Sequence, residues 1–421
     1  MKELELSALG ERCYYETLPN GLTVYVVPKT GLSKCYAILC VNYGGSDEVF
    51  WQGNRRKQTP AGVAHFLEHK MFEMPEGNAL QTLTARGASP NAFTSNRITG
   101  YHFSCTDHFY DNLRTLLNFV STPYFTAESV AKEQGIIGQE IGMLNDIPGW
   151  RGWNAMVRGL FHNHPVRNDL AGTVDSIGQI TPEILESCYR GFYRGDNMVL
   201  CVAGNVDARQ VFQLAAATVP APEGQPARRD IGETEPETAL EQQVVLEMDV
   251  SAPKFFFGCK AHAECDLKSK LLGELTAQLL CGPATPLYAK LYEEGLIDDG
   301  FQCDYSCGNG AGFFAFAGES RDPDAVAEAI LGEGIRIAWN GLDGKLFERV
   351  KRGAYGKRVM ALDSLEQLCG VLARGHFEGY NYLDFASVWD SLAKEDAEEL
   401  IRDCITGDRS TLAIVRPKGG N

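Results

Sequence analysis

Apolar residues along this chain recur in two rhythms. Alternating or continuous β-type runs cover residues 22–28 and 34–43, and the helical spacing of about 3.6 covers 63–72, 79–86, 107–121 and 127–144. The first β run follows Asn20-Gly21, a pair that tolerates positive φ and marks a hairpin turn. The two β runs are expected to pair. Residues 51–58, rich in Arg, Lys, Asn and Gln, read as a loop. Thr59 or Gly62 would cap the helix over 63–72. A strand-like segment covers 91–104. Thr181-Pro182-Glu183 opens a further helix, with the carboxylate near the positive dipole end. Residues 197–204 form a buried strand.

A Pro-rich polar stretch then interrupts the pattern. Pro220, Pro222, Pro226 and Pro236 fall within it, and apolar periodicity fades. Beyond it the plan restarts. Strands are expected at 244–250, 254–259 and 313–316, helices at 268–280, 324–339 and 345–360, and a closing strand at 410–415. The fold class is therefore α+β, with two homologous domains, each an antiparallel-rich mixed sheet packed with helices. The expected bounds are 1–222, a linker at 223–240, and 241–421.

Composition narrows the function classes. The 421 residues are 44% hydrophobic, enough for a packed core. A net charge of -16 argues against nucleic-acid binding and against docking on anionic lipid. No apolar stretch approaches the roughly 18–20 residues that span a membrane. Residues 1–5 lack the basic start of a signal peptide. The 13 cysteines are scattered, without a C-x-x-C pair, and read as reduced, buried thiols of a cytoplasmic protein.

His65-Phe66-Leu67-Glu68-His69 carries the candidate chemistry. At about 100° per residue, His65 and His69 share one helix face, where two imidazoles can reach one metal. Glu68 lies on the same side. This is H-x-x-E-H, the inverse of the H-E-x-x-H zinc-protease motif. A catalytic zinc takes three protein ligands and acidifies a water whose proton a nearby carboxylate accepts. The third ligand must come from elsewhere. Glu133 and Glu140 stand two helical turns apart on one face of the 127–144 helix. Glu140 is the expected ligand, and Glu133 the carboxylate that orients a ligand histidine or the attacking water. A His pair at this spacing also fits an ordinary surface or core pair.

The chain resembles the pitrilysin/insulinase family of inverzincin peptidases, which includes the β subunit of the mitochondrial processing peptidase. The likeness rests on Leu18 to Val24, Gly62 to Phe72, Gly87 to Thr94 and Glu133 to Ile141. It implies zinc on His65, His69 and Glu140, with Glu68 as general base and Glu133 in support. It implies that Ser89, Asn91, Ala92, Phe93 and Thr94 lie on an edge strand that pairs with extended substrate. Within the family, His65 to Glu73 together with Asn91 to Ser95 is most similar to a bacterial subgroup associated by name with aminopentanol modification of elongation factor P.

One departure stands out. Many members carry an Arg and a Tyr in the second domain that contact substrate and the transition-state oxyanion. Here Tyr292 stands at the Arg position and Asp298 near the Tyr position. An anion there repels an oxyanion. The resemblance then implies half of a clamshell, a homodimer or a heterodimer with a paralogous chain, acting on short or unfolded peptides. The rival expectation is a non-catalytic binding or assembly subunit. His162 and His164 read as solvated loop residues, and 308–312 as a glycine-rich loop.

Overall fold

The computed structural model describes residues 2–6, 11–230 and 232–419. The first half runs β1 (Lys2–Leu6), β2 (Glu11–Thr17), β3 (Thr23–Pro28), β4 (Cys35–Val41), β5 (Val49–Gln52), β6 (Arg55–Gln58), α1 (Val63–Met71), β7 (Glu73–Met74), β8 (Gly77–Asn78), α2 (Ala79–Ala85), β9 (Ser89–Thr94) and β10 (Thr99–Cys105). It continues through α3 (Phe109–Val120), α4 (Ala127–Asn145), α5 (Pro148–Leu160), α6 (Val174–Ile177), α7 (Pro182–Phe192), β11 (Met198–Gly204), α8 (Ala208–Thr218) and β12 (Ala227–Arg229). The second half runs β13 (Gln243–Met248), β14 (Lys254–Lys260), α9 (Leu267–Cys281), α10 (Pro286–Glu293), β15 (Gln302–Gly308) and β16 (Ala311–Glu319). It ends with α11 (Pro323–Asn340), α12 (Gly344–Ala361), α13 (Leu365–Glu378), α14 (Phe385–Asp390), α15 (Lys394–Cys404) and β17 (Ser410–Pro417).

The two large sheets repeat one topology. The first has the order β1-β2-β3-β11-β4-β10-β9 and the second β13-β17-β14-β16-β15. The β3/β11 and β13/β17 junctions are parallel, and every other junction in these two sheets is antiparallel. A short 3-10 turn introduces the last strand of each set, as Gly195-Asp196-Asn197 before β11 and as Gly407-Asp408-Arg409 before β17. This confirms the mixed, antiparallel-rich sheets expected of the α+β class.

Two compact units result, each built from three stretches. The first comprises residues 1–141, 169–231 and 360–384, and the second 142–168, 232–359 and 385–421. The units change over at five points along the chain, one of them at 231/232. Each unit also takes one helix from the other half of the sequence. α13 packs on β4 and β11 of the first sheet, and α5 packs on β14 and β17 of the second. Gly258 lets α5 come close, because a Cβ there would lie 2.7 Å from Leu160 Cδ1.

Several local expectations need correction. β3 and β4 do not pair, because β11 lies between them. All seven residues of β11 are buried, which is why it takes the centre of the sheet. Residues 51–58 are not a loop but most of the β5/β6 hairpin, turning at Gly53 with φ +58°. Residues 308–312 hold a tight turn at Asn309 and Gly310, both at positive φ. The 223–240 stretch contains β12, paired with β5, and residue 231 of it lies outside the described residues. Cys265 and Cys307 form a disulfide, so the thiols are not uniformly reduced. Of the other cysteines all are buried except the half-buried Cys303.

The stretch between the halves is anchored at both ends. In the first unit, Arg229 pairs with the buried Asp47 and donates to Asn42 O at 2.7 Å. In the second, Glu235 accepts backbone N–H bonds from His162, Asn163 and His164 at 2.7–2.8 Å. The buried Lys260 donates to Glu235 at 2.6 Å and to two neighbouring carbonyls. Burial works against the Glu235 charge, but Lys260 and the three N–H donors outweigh it and lower its pKa to about 2. His164 is accordingly no solvated loop residue. It is 3% exposed, with Nε2 2.6 Å from Asn309 O.

Candidate metal centre

α1 begins where only glycine fits. Gly62 has φ +89°, and a Cβ there would lie 2.6 Å from Ala171 O. The helix buries Val63, Ala64, Phe66, Leu67 and Met71, so it is locked into the first unit's core. Lys70 is fully buried and pairs with Glu73. What remains turned outward is the half-buried pair His65 and His69, with ring centroids 4.6 Å apart.

α4 brings the carboxylates. Its buried residues Val130, Ile137 and Ile141 seat it, and Glu133 and Glu140 fall on the adjoining face. Glu140 Oε1 lies 3.7 Å from His65 Nε2, and Glu140 Oε2 lies 3.6 Å from His69 Nε2. One donor atom from each of the three residues lies within 4.8 Å of the others. Donors about 2.0–2.2 Å from a tetrahedral ion stand roughly 3.3–3.6 Å apart, so the set needs little adjustment to hold zinc.

The charges suit the same ion. Burial, with His69 nearby, lowers the His65 pKa to about 4, so its imidazole is neutral and has a lone pair to give. Burial disfavours charge on His69 as well, but the bond to Glu133 and the charges of Glu68, Glu140 and Glu133 prevail and raise its pKa. Glu133 Oε1 stands 3.0 Å from His69 Nδ1, which fixes the ring and leaves Nε2 for the metal. Burial also opposes the Glu133 charge, yet the His69 bond and the charges of His69, Lys70 and Lys132 lower its pKa. Glu133→Gln is therefore expected to weaken zinc affinity about 10–100-fold, measured by competition with a chelator of known affinity.

Glu68 is 7% exposed, and Thr94 Oγ1 donates to its Oε2 at 2.7 Å. Burial raises the Glu68 pKa, and Glu140 adds to this, while Thr94 and His69 pull the other way. A carboxylate moved upward in this way is a better proton acceptor. Thr94 thus holds the base, a contact that no pattern in the sequence announced. Its neighbours Ser89, Asn91, Ala92 and Phe93 share β9, which ends the seven-stranded sheet. β9 bonds to β10 on one side, and among the described residues no strand covers the other. Ser89 and Asn91 are exposed, and Ala92, Phe93 and Thr94 are half-buried.

Tyr292 and Asp298 lie in the second unit. Tyr292 is 52% exposed on α10 and stacks on Tyr288. Asp298 Oδ1 accepts from the Gly300 N–H at 3.0 Å. Neither is a cationic donor.

Comparison with known proteins now bears on these residues. Residues 34–174 match the model of the insulinase family, peptidase family M16, and residues 179–354 match that of the peptidase M16 inactive domain. The metal cluster falls in the first match. The chain is 37% identical to a Bacillus subtilis protein named uncharacterized zinc protease YmfH, over 99% of this chain and all of that one. It is 33% identical to an M16-like peptidase from Alicyclobacillus acidocaldarius of known structure, with TM-score 0.93, covering 99% of this chain and all of the other. Pitrilysin shares the fold, with 17% identity and TM-score 0.77, and the match takes 97% of this chain but 45% of pitrilysin.

Proposed function

The chain belongs to the peptidase M16 (insulinase/pitrilysin) family, and from that premise we propose that it is a zinc-dependent endopeptidase acting on short or unfolded peptides. One observation carries the proposal. His65, His69 and Glu140 converge as a three-donor set with the buried Glu68 on the same helix turn. The set fits zinc by donor type, spacing and protonation. Zinc bound there would polarise a carbonyl and acidify a water.

The chain's own residues do the rest. Glu68 takes the proton of the attacking water at a carboxylate oxygen, with Oε2 held by Thr94, and returns it to the leaving amine. Glu133 keeps His69 in one tautomer. Peptide enters as an added strand on β9, with Ser89, Asn91, Ala92, Phe93 and Thr94 along the contact. Since this chain matches 45% of pitrilysin, it serves as one half of a two-chain enclosure, as a homodimer or with a paralogous chain. The partner supplies the cationic donors that Tyr292 and Asp298 do not. The likeness of residues 65–73 and 91–95 to the elongation factor P-modification subgroup belongs to this proposal. So does a cytoplasmic location, for which 11 free thiols speak and the single disulfide does not. No helix of the described chain is long and apolar enough to cross a membrane.

The second reading, a non-catalytic assembly subunit, draws on Tyr292, Asp298 and the match of residues 179–354 to an inactive domain. One experiment separates the two. The zinc-loaded chain, alone and mixed with a paralogous chain, is incubated with a library of unstructured peptides. Cleavage is expected, stopping on chelation and returning with zinc. Absence of cleavage in both mixtures with zinc bound would leave the subunit reading.

A further inference from the structure

The repeated topology gives every element of the metal centre a counterpart in the order of the second unit. α9 and α10 stand between β14 and β15 as α1 and α2 stand between β4 and β9. α11, α12 and α13 follow β16 as α3, α4 and α5 follow β10. The counterpart of the cleft bounded by α1, α4 and β9 is thus the space bounded by α9, α12 and β15. A cavity of about 490 Å³ lies there.

Its lining keeps a four-residue pair on the first helix and sets cations on the second, where the metal centre has carboxylates. On α9, Glu274 and Gln278 stand four residues apart, as His65 and His69 do on α1. On α12, where α4 carries Glu133 and Glu140, the charged lining residues are Arg349, Lys357 and Arg358. Arg349, Gly353 and Lys357 follow one another at helical spacing on one face, and a Cβ at Gly353 would meet nothing within 4 Å. The space between the two cations is therefore open.

Two carboxylates also line the cavity. Glu274 is engaged by Arg358, whose guanidinium lies 4.4 Å from the centre of the Trp389 ring. Asp304, on β15, accepts from the Tyr305 N–H at 2.8 Å. Arg349 donates to Ala284 O at 2.9 Å, and among the described residues neither Arg349 nor Lys357 forms an ion pair. The Cys303 thiol completes the wall, accepting from Gln278 at 3.3 Å. Burial pushes that thiol up to about 12, so it is no nucleophile.

We propose that this cavity is a binding site for a small oxyanion, a phosphate or carboxylate group held by Arg349 and Lys357 in the place where the first unit gathers His65, His69 and Glu140. Where the first unit gathers carboxylates beside two imidazoles, the second sets Arg349 and Lys357 at the mouth of a pocket. Among the described residues, Asp304 is the one lining carboxylate not engaged by Arg358, and neither Arg349 nor Lys357 forms an ion pair. An oxyanion can accept charge-assisted hydrogen bonds from both.

The test is calorimetric titration of the full, metal-free chain with inorganic phosphate and, separately, with acetate, at constant ionic strength. Removing zinc keeps either anion from binding at the His65 cluster. Saturable binding is expected, tighter for phosphate if a phosphate group is the natural ligand and for acetate if a carboxylate is. Lys357→Glu is expected to weaken it at least about tenfold, and Lys357→Arg to retain it. Lys357 lies at the exposed rim, and equal melting temperatures would confirm that both variants fold. Failure of both anions to saturate the wild-type chain would overturn the site, as would unchanged binding by Lys357→Glu. Neither result depends on peptidase activity.

Discussion

Glu68→Gln is expected to lower kcat for peptide cleavage by about 10²–10⁴-fold while zinc content is unchanged. The substitution keeps the shape of the side chain and its acceptor oxygen for Thr94 Oγ1, but removes the basic oxygen. His65, His69 and Glu140, which form the donor set, are untouched. Burial has already moved Glu68 upward from the ordinary carboxylate range, so the wild-type group is tuned for proton transfer rather than for solubility. The check is steady-state kinetics alongside metal analysis of the same preparation. Equal turnover by the variant would remove Glu68 from the mechanism. Loss of zinc together with turnover would instead make it a structural support of the site.

The largest loss of stability is expected at Asp47→Ala, about 3–5 kcal/mol. Asp47 is 2% exposed and accepts from the Gly44 N–H at 2.8 Å as well as from Arg229. Burial raises its pKa more than Arg229 and the Gly44 N–H lower it. Removing the carboxylate leaves the Arg229 guanidinium, 25% exposed, without its counter-charge. It also frees a turn packed so tightly that a Cβ at Gly44 would lie 2.4 Å from Ser95 O. Urea unfolding of the variant beside wild type gives the difference directly. A change below about 1 kcal/mol would place the pair among ordinary surface bridges.

The parts of the site that lie within one helix were open to sequence reasoning, because helical spacing alone puts His65 beside His69 and Glu133 in line with Glu140. The meeting of the two helices was expected from the acidic pair on an apolar helix and from the family resemblance, but helical spacing alone fixes neither its geometry nor its distances. The bond from Thr94 to Glu68 depends on where the end of β9 falls against α1, and Thr94 has no distinguishing neighbour in the chain. The Cys265–Cys307 bridge spans 42 residues and has no local signature. Periodicity marks α1 to α4, α7, α9, α11 and α12 and most strands of the two large sheets, but it misses β1, β2 and β15, and helices such as α5, α8, α10 and α13. It could not show that β11 enters between β3 and β4, since a run of buried apolar residues states its burial but not its neighbours. α5 and α13 are not among the helices read from the sequence, and an amphipathic pattern does not show which sheet a helix covers, so their exchange was invisible.

That exchange has a consequence in time. The face of the first sheet that α13 covers includes Tyr25, which packs against His376, and it is complete once β11 has been made. The end of α13 comes about 170 residues later, roughly 10–35 s at ordinary rates of elongation. During synthesis the first sheet therefore waits, open on one side, for a helix made about 170 residues after its own last strand. The first unit finishes folding only after most of the second has been made, so a nascent chain interrupted between the halves would carry His65, His69 and Glu140 on an unfinished core.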